Sequence, residues 1–170
     1  MSLPSPPADP DQPRIGVLFV CLGNICRSPA AEGCFLHLLA QEGLGEAFHV
    51  DSAGTGRWHV GKPADPRMRE AASRRGLVLP SRARQIDPSD LTRFAHILTM
   101  DNDNLAAVRQ LARGRSAPAR IEPITRYCRH HSLEEVPDPY YGGAEGFERV
   151  LDLLQDACAG LLDSLRPPRG

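Results

Sequence analysis

Two side chains suited to phosphoryl chemistry, Cys21 and Arg27, stand with five residues between them in the run Val20-Cys21-Leu22-Gly23-Asn24-Ile25-Cys26-Arg27-Ser28-Pro29. A guanidinium fork takes two phosphate oxygens at once. A thiolate facing a bound phosphoryl group is a nucleophile awaiting a leaving group. Between them, the amides of Leu22, Gly23, Asn24, Ile25 and Cys26 can converge on an anion, aided by a helix N-terminus. The same field stabilises negative charge on a thiol at its centre. The plain alternative makes Cys21 one more buried apolar cysteine.

The flanking residues favour the catalytic reading. Ile15 to Val20 is a short apolar run that reads as a fully buried strand. Pro29 suits a first helical turn, and Ala31, Phe35, Leu38 and Leu39 recur at helical spacing over 29–41. Residues 21–27 therefore leave a strand and feed a helix. Dephosphorylation also needs a proton for the leaving oxygen, and Asp138 is the candidate general acid. Pro139 biases Asp138 to extended backbone, and Gly142-Gly143 lets the loop turn. Taken alone, Asp138 would read as a solvated loop aspartate.

The segment CLGNICRSP, Cys21 to Pro29, resembles the signature loop of the low-molecular-weight protein tyrosine phosphatases. Asp138-Pro139-Tyr140-Tyr141-Gly142-Gly143 is similar to that family's acid loop, and Asp51-Ser52-Ala53-Gly54-Thr55 and Met100-Asp101 with Asn104-Leu105 match its internal motifs. The resemblance runs from about Arg14 to Leu165. It implies that Cys21 attacks phosphorus while Asp138 protonates the ester oxygen. Asp138 then deprotonates the water that hydrolyses the phosphocysteine, and Arg27 and the loop amides hold the transferring group. It further implies that Ser28 favours the thiolate and its departure, a role that competes with helix capping. Asn24 would brace the loop through Ser52, and Asp101 would orient Arg27 unless it only caps a helix. The family often carries a histidine partnered with the glutamate matching Glu32. Here serine, Ser81, stands at that place, with a change in loop rigidity expected.

Trp58, Tyr140 and Tyr141 can wall a slot for a flat aromatic ring, with Leu22 and Ile25 at its base, unless the tyrosines simply pack a loop. Such a slot suits phosphotyrosine. Arginine phosphatases of the same fold tend to carry threonine where Ile25 stands. Cys26, close to Cys21 in a curled loop, is a candidate partner for a reversible disulfide after oxidation; a small loop-filling residue is the alternative.

The elements that position these residues alternate. Strands are expected at 15–20, 48–53, 96–100 and 119–122, with helices at 29–41, 64–75, 87–94, from Asp101, and 145–165. This pattern implies an α/β fold, a three-layer αβα sandwich on a four-stranded parallel sheet, with the phosphate loop after the first strand. Ligands in such sheets bind beyond the carboxyl ends of the strands, where loops 21–27, 52–58, 100–104 and 138–141 can meet.

The chain of 170 residues suits one domain, expected over 14–166, with a disordered tail at 1–13 that holds five prolines and a C-terminal tail at 167–170. A net charge of −1 offers no field for nucleic acid or anionic membrane, so anion binding must be local. No apolar run is long enough to span a bilayer, and the N-terminus lacks a signal-peptide pattern. The five irregularly spaced cysteines contain no C-x-x-C and no zinc spacing, which fits free thiols in a reducing compartment. The expectation is a cytoplasmic monomeric hydrolase without metal or cofactor. It would act on phosphotyrosine proteins or small phosphate esters and release inorganic phosphate. Two alternatives are an arsenate reductase of the same fold, for which Cys128 lacks a nearby cysteine partner, and a non-catalytic phosphate-binding module.

Overall fold

Apolar alternation in the first strand sets the architecture. A computed structural model describes residues 14–140 and 142–166. The expected tails at 1–13 and 167–170, and Tyr141, lie outside the described residues. In β1 (Ile15–Cys21), Val17 and Phe19 face one apolar cluster, and Leu18 and Val20 face the other. A strand buried on both faces belongs inside a parallel sheet covered by helices on each side. Its neighbours are β2 (Phe48–Gly54) and β3 (His96–Thr99), with β4 (Arg120–Pro123) beyond β3. The order is β2-β1-β3-β4, all parallel. The expected four-stranded sandwich is the observed fold.

On one face lie α1 (Arg27–Glu42), α2 (Pro66–Ser73) and α5 (Ala144–Leu165), around Phe19, Phe35, Met68, Phe147 and Leu154. The opposite face carries α3 (Asp90–Arg93) and α4 (Asn102–Ala112), around Leu91, Phe94, Ile97 and Val108. Phe19, Phe35 and Phe48 form successive edge-to-face pairs, with centroids 5.8 and 5.5 Å apart. Such pairs add specificity to area burial.

Local chemistry explains where the elements end. α1 begins at Arg27, two residues before the expected start, because the phosphate loop turns directly into helix. No side chain caps its N-terminus. It stops at Gly43, whose φ of 68° is left-handed. α2 begins later than expected because Asp65 accepts from the Arg67 amide and Pro66 occupies the first turn. The expected helix over 87–94 contracts to Asp90–Arg93, since Asp87 is taken by Ser89. A 3-10 turn at Ile124–Tyr127, which the apolar pattern did not announce, follows β4 and packs against α5.

That packing makes Gly160 a close-approach site. A Cβ there would overlap the carbonyl oxygen of Tyr127. Alanine is the better helix former, so propensity alone predicts stabilisation of about 1 kcal/mol for Gly160→Ala. The backbone overlap should win, leaving the variant about 1–3 kcal/mol less stable by urea unfolding.

Candidate active site

The loop after β1 is held from its outside. The carbonyls of Cys21, Leu22 and Ile25 accept from the amides of Thr55, Gly56 and Asp65, at 2.9, 2.9 and 2.8 Å. A loop whose carbonyls are taken up outside turns its amides inward. Gly54 permits the approach, since a Cβ on it would lie 2.8 Å from the Leu22 carbonyl oxygen. Asn24 takes the left-handed conformation, φ 57°, the one non-glycine residue to do so among those described.

Asn24 also organises a buried polar chain. Its side-chain amide donates to Ser28 Oγ at 2.8 Å and to Ser52 Oγ at 3.0 Å, and its Oδ1 accepts from the Arg84 amide at 3.0 Å. Ser28 accepts from Asn24, and its hydroxyl lies 3.0 Å from the Cys21 sulfur and donates to the Ala53 carbonyl at 3.4 Å. The Asn24 amide lies 3.3 Å from that sulfur. On the other side, Ser52 and Ser81 both donate to Glu32 Oε1, at 2.6 and 2.7 Å. The serine found in place of the family histidine thus keeps a hydrogen bond to the glutamate but adds no cation.

Glu32 is buried, and burial pushes its carboxyl above the ordinary value while the Ser52 and Ser81 hydroxyls work against the rise. Asp51 adds to the rise and Arg84 lessens it.

Arg27 is 3% exposed and has specific partners. Nη1 donates to Asp101 Oδ2 at 2.7 Å and to the Val136 carbonyl at 3.0 Å. Nη2 lies 3.5 Å from Asp138 Oδ2. Both expected roles of Asp101 are realised through different oxygens, because Oδ1 accepts from the Asn104 amide at 2.7 Å and closes a capping box on α4. Asp138 Oδ1 accepts from the Tyr140 amide at 3.0 Å.

A cavity of about 390 Å³ opens here, lined by Cys21, Leu22, Gly23, Ile25, Cys26 and Arg27, with Trp58, His59, Asp138 and Tyr140. Leu22 and Trp58 are exposed, at 44% and 69%, and so can meet a ligand. Of the expected site residues, Asn24, Ser28, Ser52 and Asp101 stand behind this lining. His59 was not anticipated. Its ring lies 6.1 Å from that of Tyr140, and a lone loop histidine beside Trp58 carries no sequence signal of its own. Arg67, Val136 and Arg84 were missed because the contacts that tie them to the site, with Tyr140, Arg27 and Asn24, span dozens of residues.

The raised Glu32 carboxyl gives a stability prediction. The native state holds the proton where the unfolded chain has lost it, so stability should fall as pH climbs above about 4.5, the carboxyl's ordinary value. Glu32→Gln should remove that slope, as read by urea unfolding across acidic to neutral pH.

The family model described as low molecular weight phosphotyrosine protein phosphatase matches residues 16–168. The chain is 42% identical to the low molecular weight protein-tyrosine-phosphatase YfkJ of Bacillus subtilis over 153 residues, 89% of this chain and 96% of that one. Among solved structures, a protein tyrosine phosphatase of Entamoeba histolytica superposes with a TM-score of 0.85 at 42% identity, covering 89% of this chain and 96% of that one. A Drosophila arginine phosphatase superposes with a TM-score of 0.84 at 31% identity, covering 90% and 99%. The relatives are hydrolases, and the motifs, the sheet order and the family match agree. The chain belongs to the low molecular weight phosphotyrosine protein phosphatase family.

Proposed function

We propose that the chain hydrolyses phosphotyrosine and small aryl phosphates through a phosphocysteine. The observation that carries this reading is the placement of Arg27 between Asp101 and Asp138, on a loop whose cysteine sulfur faces the Ser28 hydroxyl at 3.0 Å. In the first step, the Cys21 sulfur attacks phosphorus. The bond to the ester oxygen breaks, and Asp138 gives that oxygen its proton. In the second step, Asp138 as carboxylate takes a proton from water, which attacks phosphorus. The S–P bond breaks, inorganic phosphate leaves, and Ser28 donates to the returning thiolate. Arg27 and the loop amides meet the charge in both steps.

The rim supports an aromatic substrate. Trp58, His59 and Tyr140 line a slot with Leu22 and Ile25. The likeness to an arginine phosphatase favours a second substrate, a phosphoarginine. Ile25, in place of the threonine common in those enzymes, argues for the tyrosine ester. The reading takes 14–166 as one phosphatase domain acting as a monomer in the cytoplasm. No helix of the described residues is long and apolar enough to cross a membrane.

The test is turnover of p-nitrophenyl phosphate, a phosphotyrosine peptide and a phosphoarginine peptide. Cys21→Ser should abolish activity, and Asp138→Ala should lower it about 10²-fold toward the peptide. Tight phosphopeptide binding without turnover would instead indicate a binding module, and turnover of arsenate with a thiol reductant would indicate a reductase.

Oxidation of the same site follows from the reading. Burial pushes the Cys26 thiol far up, with Asp65 and Cys21 adding to the rise, so Cys26 rests protonated beside the nucleophile. Peroxide should convert Cys21 to a sulfenic acid; Cys26, on giving up its proton, should attack that sulfur, and the sulfenic oxygen should leave with that proton as water to form a Cys21–Cys26 disulfide, slowly because the thiol is held protonated. Activity should return with dithiothreitol in the native chain. In Cys26→Ser it should be lost irreversibly, with mass spectrometry reading sulfinic or sulfonic acid at Cys21.

A further inference from the structure

Arg67 is half-exposed on the first turn of α2, outside the lining of the cavity. Yet it touches both sides of the site. Its guanidinium forks onto Asp65, with Nε to Oδ1 at 3.1 Å and Nη2 to Oδ2 at 2.9 Å. The Asp65 side chain is 8% exposed, so its charge has little water to fall back on. Asp65 is tied to the phosphate loop, its amide donating to the Ile25 carbonyl at 2.8 Å. From the same Nη2, Arg67 donates to the Tyr140 carbonyl at 3.1 Å. Its flat face covers the Tyr140 ring, 5.5 Å from the centroid, and the buried Phe147 ring at 4.8 Å.

That contact is one of several around Asp138, whose Oδ2 also lies 3.5 Å from Arg27 Nη2. Before Asp138, the segment is fastened by Val136, whose amide donates to the Met100 carbonyl at 2.7 Å and whose carbonyl accepts from Arg27. After it, the Gly142 amide closes a turn on the Pro139 carbonyl at 3.0 Å. Between these points Asp138 is 39% exposed, and its Oδ1 accepts from the Tyr140 amide. Arg67 therefore grips the carbonyl of the residue whose amide holds the carboxyl. A planar fork that also stacks can do this, while an ammonium cannot hold the carboxylate, the carbonyl and the rings together.

We propose that Arg67 is a positioning residue that couples the phosphate loop to the acid loop and holds Asp138 at the angle needed to protonate the leaving oxygen. This rests on the reading of Asp138 as general acid. The consequence is selective. Esters with poor leaving groups need the proton, whereas a dinitrophenoxide leaves without it. A misplacement near 1 Å in catalytic geometry costs about 10²-fold, and a loosened loop should cost less.

The experiment compares kcat/KM for phenyl phosphate and dinitrophenyl phosphate in wild type, Arg67→Ala, Arg67→Lys, Asp138→Ala and the Arg67→Ala/Asp138→Ala double variant. We expect Arg67→Ala to lose about 10-fold on phenyl phosphate and less than about 2-fold on dinitrophenyl phosphate, with Arg67→Lys between it and wild type. In the Asp138→Ala background, removing Arg67 should cost nothing further. Equal losses on both esters, or losses that add to those of Asp138→Ala, would overturn the positioning role. Arg67→Lys preserves the charge and gives the same readout if the alanine variant folds poorly. If Asp138→Ala itself shows no dependence on the leaving group, the acid assignment fails, and the proposal for Arg67 fails with it.

Discussion

A buried guanidinium is costly unless every direction it presents is answered, and the site is arranged around one. Arg27 starts α1, so its backbone position is set by the end of β1 and the loop between. Its side chain then requires acceptors that the loop does not contain. They come from other loops at the same edge of the sheet: Asp101 after β3, the strand beside β1, and Val136 and Asp138 in the segment before α5. In satisfying one cation, the fold brings three sequence-distant loops to the same edge. That edge is the carboxyl end of parallel strands, where ligand sites in such sheets form.

The second organising feature is polar and unusually complete. From the sulfur of Cys21, a line of hydrogen bonds passes through Ser28, Asn24 and Ser52 to Glu32. These contacts fix the rotamers of Ser28, Asn24 and Ser52, and the Ser28 hydroxyl is shared between the Cys21 sulfur and the Ala53 carbonyl. A satisfied network of this kind rigidifies, whereas a partly satisfied one would destabilise. Ser81 completes it where the family pattern has histidine. The substitution exchanges a titratable ring for a hydroxyl and leaves the glutamate to burial, which explains its raised carboxyl.

Rigid elements support the reacting groups to different degrees. Cys21, at the end of β1, and Arg27, at the start of α1, are almost fully buried, at 3% exposure each. Asp138 is on a loop, partly exposed, paired with Arg27 and otherwise held through its neighbours. Loops carry function on such scaffolds because they can present a side chain to solvent and ligand, but they then need outside fastening. Here the fastening comes from Val136 on one side and Arg67 on the other.

The fold class and the closeness of Cys21 and Arg27 in one loop were legible in the sequence because they are local in origin. The apolar run Ile15–Val20, the spacing of Cys21 and Arg27, and the helical periodicity after Pro29 lie within one stretch, so period and spacing define strand, loop and helix together. The alternation of strands and helices did the same for the sheet. Asp101 and Asn24 were legible through motif resemblance, but their dual roles were not, because a capping oxygen and an arginine-binding oxygen differ only in three dimensions. His59, Arg67, Arg84 and Val136 left no trace in the sequence. Their importance comes from partners such as Tyr140, Asn24 and Arg27, dozens of residues away, and only closure of the sheet and docking of α5 bring Arg67, Arg84 and Val136 within hydrogen-bond distance of them and set the His59 ring near Tyr140. Sequence alone determined which candidate reactive groups the chain carries, since they are residue types at local spacings. Tertiary structure alone decided how those groups are aimed, because orientation depends on contacts between segments that meet only after folding.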